Sequence, residues 1–487
     1  MKNHIKSGAF LILIISLFIN NPLFSESVSK SDSESSPEVL FDSESHSEPV
    51  YKRNFLVALT SLVVPNAVIG SWNRFVSQSS WAQVSFEYAC HFYEHECSWD
   101  DDWYWTNFVL HPYQGSLSYM GARAANFTPY ESIIFSTISS LSWEYFYELN
   151  APSINDMIYT SIGAFPVGEM LYRLSYSLQK VWSPSRFLAD PIRLYSDPLM
   201  RNKTRAPEGD VTELSIKFSS GTQYGKTIAL QSNQRTSELY PVHGGAELYV
   251  LYGNPYGHSS NTPYDQFEMN FGFKLGPGNG YGYKDLEQVL NYDIHLVTNG
   301  MLLSRAVDWG ENRDTTIGLV FDYDFMWQSF YDISSLSPGF AIKQKIHNER
   351  SSFEWQTHFD VLLLGTTDFY YYRRNILDDP LAYRSYSYTM GGEFVGGFKF
   401  AHQNGQALSA NVHSYAMYLL PSQITGEMST GLELMSVCKL NYDIHLVKQL
   451  YIGLGDSFFC KNSFYDDLPN LFAFMNEAEI YAKIQLK

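Results

Sequence analysis

The chain has 487 residues, of which 45% are hydrophobic and 16% aromatic but only 17% charged, and its net charge is −18. Such an acidic balance excludes nucleic acid as a partner, because phosphate binding needs a basic footprint. The 36 tyrosines and the scarcity of charge are odd for a soluble enzyme, and they suit a barrel girdled by aromatic residues at two membrane interfaces.

In chain order, Lys2 and Lys6 precede an unbroken apolar run from Ala9 to Ile19, with a tolerable cleavage site at Leu23-Phe24-Ser25. This pattern predicts a secretory signal peptide over residues 1–25. No cysteine lies near the cleavage point, so a lipid-modified N-terminus is not expected. Residues 26–50 are Ser-rich and set seven acids against Lys30, which predicts a disordered tether. The most apolar later stretch, Phe55 to Gly70, is interrupted by Pro65 and Asn66 and falls short of 18 apolar residues, so helical membrane spans are not expected.

Residues 51–182 lack period-two alternation and read as a helical domain. Glu131 to Leu149 and Ser153 to Lys180 are two helices separated by Pro152, with Ser153 and Asp156 at capping spacing. Pro166 should kink or split the second near Gly163 to Gly168. The Pro-rich stretch 183–210 reads as a linker.

From Val211 onward the pattern changes. Thr212 to Phe218, Phe267 to Leu275 and Phe353 to Leu363 alternate apolar with polar residues, so each puts one apolar and one polar face on a strand. Similar segments recur near 246–252, 292–306, 314–324, 339–346, 389–401, 406–419, 431–442, 447–459 and 475–486. The fold class expected is mostly β: a C-terminal antiparallel, outer-membrane-type β-barrel of about 12 strands over 211–487, with an N-terminal α-helical domain. Apolar faces rich in Phe, Met and Leu over nine or more residues favour a membrane barrel over a soluble one. The heptapeptide Asn-Tyr-Asp-Ile-His-Leu-Val occurs at 291–297 and again at 441–447, through duplicated hairpins or convergent strand chemistry.

Four cysteines permit disulfides Cys90–Cys97 and Cys438–Cys460, or free thiols. Cys90, His91, His95 and Cys97 match no zinc module, and neither a metal nor a cofactor is expected.

Chemistry concentrates in the helical domain. Glu144 and Glu148 are i,i+4 neighbours on one helix face, and Glu169 and Arg173 have the same spacing on the next. With the acidic run Trp99-Asp-Asp-Asp-Trp103 and with Asn107, His111, Arg123 and Asp156, a fold could gather them around one buried polar centre. The candidate catalytic groups are His111, Glu144, Glu148 and Asp156, with His111 as base and Ser142 or water as nucleophile. The candidate binding or structural network is Asn107, Arg123, Glu169 and Arg173. In the alternative reading Glu144 and Glu148 are answered by Arg123 and Arg173 in a structural ion network.

The run His111-Pro-Tyr-Gln-Gly115, Ala122-Arg123, Ser142-Trp-Glu144, Glu148, Pro152-Ser-Ile-Asn-Asp156, Thr160, Gly168-Glu169 and Tyr172-Arg173 resembles the bacterial domain-of-unknown-function family 3943 over roughly residues 60–185. The resemblance implies an envelope protein and marks these residues as one unit, without naming a substrate.

Together these observations predict an outer-membrane barrel whose helical domain lies in the lumen or against the periplasmic mouth, plugging or gating it for binding or transport. The alternative is an envelope enzyme, a hydrolase acting on lipid or cell-wall material through His111 and its carboxylates. A structural or adhesin-like barrel is the third class. Expected partners are outer-membrane lipid and a small-molecule or lipid ligand.

Overall fold

A computed structural model describes residues 51–100, 102–201, 203–229, 235–277, 290–373, 385–421 and 429–487. The expected signal peptide and acidic tether lie outside the described residues.

Twelve antiparallel strands form a closed barrel: β1 (Val211–Ala229), β2 (Arg235–Tyr252), β3 (Phe267–Pro277), β4 (Leu290–Val307), β5 (Arg313–Trp327), β6 (Asp332–His347), β7 (Ser351–Asp368), β8 (Tyr386–His402), β9 (Gln406–Leu419), β10 (Gly431–Val447), β11 (Leu450–Tyr465) and β12 (Leu471–Gln485). Each strand pairs with its sequence neighbour, and β1 closes on β12 through Phe218 opposite Ala482. All twelve expected segments fall on a strand each. Closure leaves no open sheet edge.

The pleat sorts the side chains. Lys217 points into the lumen, where its Nζ lies 3.1 Å from Glu247 and 2.8 Å from Glu479, while the next residue, Phe218, is exposed outside. Lys343 on β6 reaches across to Glu268 on β3 at 3.0 Å. Phe359, Leu434, Leu454 and Ile480 belong to the opposite set and form an exposed apolar exterior.

The two ends of the barrel differ. One end carries the start of β1 and the end of β12 and has turns of two to five residues, apart from the longer loop 253–266. At the other, the segment after β5 and the turn Tyr370–Arg373 fold inward. There the Tyr370 hydroxyl donates to the Phe330 carbonyl at 2.7 Å, and Tyr331 stacks on Phe459 at 4.1 Å. Phe330, Tyr370, Met417 and Phe459 are fully buried in one apolar cluster that fills this end. A cavity of about 470 Å³ lies at the short-turn end, lined by Glu213, Lys217, Glu247, Lys399 and Lys483 among others.

The repeated heptapeptide opens β4 but closes β10, so its copies stand at opposite ends of the barrel. Asp293 and Asp443 face the lumen in both: Asp443 accepts from Tyr481 at 2.9 Å, and Asp293 from the Ser329 amide at 2.6 Å. Shared strand chemistry, not a duplicated hairpin, accounts for it.

Four main helices precede the barrel: α1 (Phe55–Ser71), α2 (His111–Ala124), α3 (Pro129–Phe146) and α4 (Ala164–Val181). The Asn54 side chain caps α1, and Thr128 with Glu131 forms a capping box at the start of α3, behind Pro129. Ser153 caps the short helix Ile154–Ile158, as its spacing from Asp156 predicts. A π-helical turn at Tyr159–Gly163 then precedes α4, which absorbs the missing amide of Pro166. Two departures from expectation concern helices. Phe55 to Val76 is one continuous apolar helical run, although Pro65 and Asn66 interrupt its apolar sequence. The expected linker 183–210 contains the helices Arg186–Ala189 and Arg193–Met200.

Among the described residues, the helical domain does not enter the lumen. It packs on the outside of the barrel, along a stripe that crosses the tilted strands from the short-turn end to the other. At the short-turn end Tyr119 and Phe165 cover Val250, Tyr252 and Phe267. At the far end Tyr104 and Phe108 cover Phe325, Tyr386 and Tyr388. Phe321, Tyr323 and Phe325 alternate with the lumen-facing Asp322 and Asp324, which fixes them as outward. The expected placement, in the lumen or against the periplasmic mouth, is therefore corrected: aromatic residues on the outer wall hold the helices there.

Candidate functional site

The predicted site residues divide between two polar clusters of the helical domain, where sequence reading expected one. The first sits at the filled end of the barrel. The short helix Ile154–Ile158 presents Asn155 and Asp156, the last turn of α3 presents Glu144, and the first residue of α2 is His111. His111 Nε2 lies 3.7 Å from Asp156 Oδ1. Glu144 Oε2 accepts the Ser153 amide at 2.8 Å, and Asn155 Nδ2 donates to Asp156 at 2.9 Å. All three titratable groups are buried, and His111 Nδ1 has no hydrogen-bond partner among the described residues.

Asp100 ties this cluster to the wall. Its Oδ1 accepts from Asn107 at 2.7 Å, Asn155 at 3.0 Å and the Tyr388 hydroxyl at 3.2 Å. Asn107 also donates to the Tyr386 hydroxyl at 2.8 Å. Burial pushes the Asp100 carboxyl up, but its hydrogen bond with Asp156, the His111 ring and the amides of Asn107 and Asn155 outweigh it, so Asp100 sits below the usual carboxylate range. Glu148, in the loop after α3, accepts from the Trp143 indole. Burial, with the charges of Asp102 and Asp100, pushes Glu148 up to about 7 against the opposing indole bond.

The second cluster is centred on the fully buried Glu169. It accepts from Tyr119 at 2.9 Å, Arg123 Nε at 2.7 Å and Arg173 Nε at 2.9 Å. Arg123 Nη2 also donates to Glu169 at 3.3 Å, Arg123 Nη1 ends on the Phe127 carbonyl, and Arg173 on those of Glu208 and Pro263. The carboxylate and both guanidinium groups are hydrogen-bonded, and the arrangement links the helices to the linker and the β2–β3 loop. It reads as structure.

Of the expected catalytic set, His111, Glu144 and Asp156 come together and Glu148 flanks them. In the expected network, Asn107 belongs with the first cluster, while Arg123, Glu169 and Arg173 form the second. Arg123 and Arg173 therefore do not answer Glu144 and Glu148; they are committed to Glu169. Ser142 is not a nucleophile beside His111, since its hydroxyl donates to Ser139 O and accepts from Asn66. Sequence reading placed Asp100 only within the acidic run Trp99-Asp-Asp-Asp-Trp103 and Asn155 only within the motif Pro152-Ser-Ile-Asn-Asp156, and it left Tyr386 and Tyr388 out of the site. The run of three aspartates hid which one turns inward, and the tyrosines' role depends on what covers β8.

Chemically, the first cluster offers a buried imidazole among carboxylates. The ligand atoms of His111, Glu144 and Asp156 lie within 4.8 Å of one another, near enough to hold one divalent ion, as do three sets in the lumen such as Asp322, His358 and Asp360. Cys90, Cys97, Cys438 and Cys460 are free thiols, which corrects the permitted disulfides.

The fold and site define a closed twelve-stranded barrel with a helical domain fastened to its outer wall. Within that domain, residues 96–199 match the family described as Domain of unknown function (DUF3943), in agreement with the resemblance read from the motifs. No curated protein matches the chain. Among solved structures, the chain is similar to the outer membrane protease OmpT from Escherichia coli, at 8% identity over 58% of this chain and 99% of that one, with a TM-score of 0.24. It is likewise similar to an outer membrane channel from Pseudomonas putida F1, at 8% identity over 57% and 97%, TM-score 0.27. A third is outer membrane phospholipase A from Escherichia coli, at 11% identity over 55% and 92%, TM-score 0.22. No activity is carried over from these three.

Proposed function

We propose that the chain is an outer-membrane protein whose barrel is an anchor and whose working site is the His111 cluster on its outer flank. The reading that fits best is an envelope enzyme hydrolysing a lipid-phase ester or phosphoester. One observation carries it: His111, Glu144 and Asp156 converge on the outer side of the wall, held to it by Asp100 and Asn107 through Tyr386 and Tyr388. Membrane location is supported by the apolar exterior, where Leu432, Leu434, Leu440 and Ile444 line the outer face of β10. A conducting role is disfavoured by the aromatic cluster that fills one end of the lumen and by the ion pairs below it.

In this reading His111 takes a proton from water, the water oxygen bonds to the acyl carbon or phosphorus, and the departing alcohol receives that proton. Asp156 and Glu144 orient the ring and oppose the imidazolium charge. The test is turnover: purified protein in mixed phospholipid and lipopolysaccharide vesicles, with products read by mass spectrometry. His111→Ala and Glu144→Gln should abolish product while keeping heat-modifiable gel mobility. Equal product from both variants would sink the enzyme reading, and discrete conductance steps in planar bilayers would restore transport.

A further inference from the structure

We propose that the helical domain itself lies in the hydrocarbon layer, a four-helix bundle beside the barrel whose outer face is covered by acyl chains. This rests on the barrel being membrane-embedded, as read above.

Continuity is the first argument. The helices occupy the outward side of β2 to β8, where acyl chains would otherwise sit, so their outer surface replaces part of an apolar perimeter. A water-facing domain there would need a polar exterior. Instead the run Phe55–Val76 has 22 residues with one charge, Arg74, near its end. Leu56 is 74% exposed, Val68 64% and Phe75 70%. On α3, Ile134 and Ile138 are exposed one turn apart. At 1.5 Å per residue the run measures about 33 Å, the thickness of a hydrocarbon core. The other helical runs, 104–124, 129–146 and 154–181, are 18 residues or longer.

The second argument is how the helices meet. A Cβ on Gly115 would fall 1.8 Å from the Thr160 carbonyl oxygen, and one on Gly121 would fall 1.9 Å from Ser61 Cβ. Polar bonds run between helices: Asn66 donates to Ser139 O and Ser142 Oγ at 3.1 Å each and accepts from Gln114 at 3.0 Å. Small residues at the contacts with amide and hydroxyl bonds between them is how helices associate in lipid, where burying leucine gains nothing. The charged groups conform as well. Arg123, Glu144, Asp156, Glu169 and Arg173 turn inward, and Arg74, Glu131 and Lys180 stand near helix ends.

Nitroxide accessibility tests this in vesicles, on a full-length chain with Cys90, Cys97, Cys438 and Cys460 replaced by serine. Single labels go at Val64→Cys on α1, Leu434→Cys on the barrel exterior and Asp308→Cys in a short turn. The expected result is that Val64 and Leu434 labels collide freely with oxygen and are shielded from a water-soluble nickel complex several-fold better than Asp308. A nickel-accessible Val64 beside a lipid-like Leu434 overturns the inference and leaves the barrel reading intact. A Val64 label shielded from both reagents means protein covers this face, a second copy included, and also overturns it. A nickel-accessible Leu434 sinks the membrane reading and this inference together. Should Val64→Cys lose heat-modifiable mobility, Val68→Cys takes its place.

Discussion

Asn107 Nδ2 lies 2.8 Å from the hydroxyl of Tyr386, and the contact joins a helical-domain side chain to the outward face of β8. Tyr388, two residues on and on the same face, gives its hydroxyl to Asp100. The polar site and the barrel wall are thus one hydrogen-bonded unit.

Removing both hydroxyls should loosen that unit without unfolding the barrel. Each is worth about 1 kcal/mol net, with further cost from the buried partners left behind. In Tyr386→Phe/Tyr388→Phe, limited proteolysis should cut residues 99–110 faster than in wild type, while the barrel keeps its heat-modifiable mobility. Unchanged cleavage would mean that the apolar contacts of Phe108 and Tyr104 hold the domain alone.

Glu169→Gln leaves two guanidinium groups facing a neutral amide in a fully buried setting. Breaking a buried pair in this way costs about 3–5 kcal/mol. The urea midpoint of the helical domain, followed by tryptophan fluorescence, should fall accordingly. The same replacement at the half-buried Glu148 should cost far less.

Gly115→Ala should separate α2 from the π-helical turn, because the added methyl has the Thr160 carbonyl in its way and backbone cannot step aside cheaply. A loss of about 1–3 kcal/mol is expected from such overpacking. Gly310→Ala in the turn after β4 has open space, although its φ of +112° disfavours any side chain, so its effect should be confined to that turn.

Glu148 supplies a pH dependence. Burial raises its folded value to about 7, above the ordinary 4.5 expected when unfolded. The folded state therefore holds the proton more tightly. Stability is greatest below about 4.5 and declines as pH climbs through about 7. Glu148→Gln should flatten that decline. The infrared carboxylic-acid band lost in the variant should titrate near 7 in wild type; a band already absent at pH 5.5 would refute the shift.

How much of this was legible depended on whether the pattern survives a change of surroundings. The strand at Phe267 to Leu275 was readable because every second side chain is apolar whatever lies beyond it. That indifference also concealed the position of the helical domain. Phe321, Tyr323 and Phe325 alternate with Asp322 and Asp324 in the same way whether lipid or a helix covers them, so the sequence read equally well with the helices in the lumen. The run from Phe55 to Val76 escaped because it is apolar on all sides and has no periodicity to detect, and Pro65 looked like a break. His111, Glu144 and Asp156 were found from residue type and spacing. Asp100 was visible only as one acid of the run between Trp99 and Trp103, since nothing local distinguishes it from Asp102. The split into two clusters also depended on tertiary geometry, which alone assigns Arg123 and Arg173 to Glu169.

The most direct measurement is site-specific photo-cross-linking from opposite faces of the same wall. Benzoylphenylalanine replaces Leu336, which faces outward beneath Tyr159, or Tyr415, which faces the lumen and bonds Asp324 at 2.7 Å. Peptide mapping should show Leu336 adducts within residues 104–165 and none of those adducts from Tyr415. Adducts to that segment from Tyr415, with none from Leu336, would put the helices inside the barrel and contradict the account.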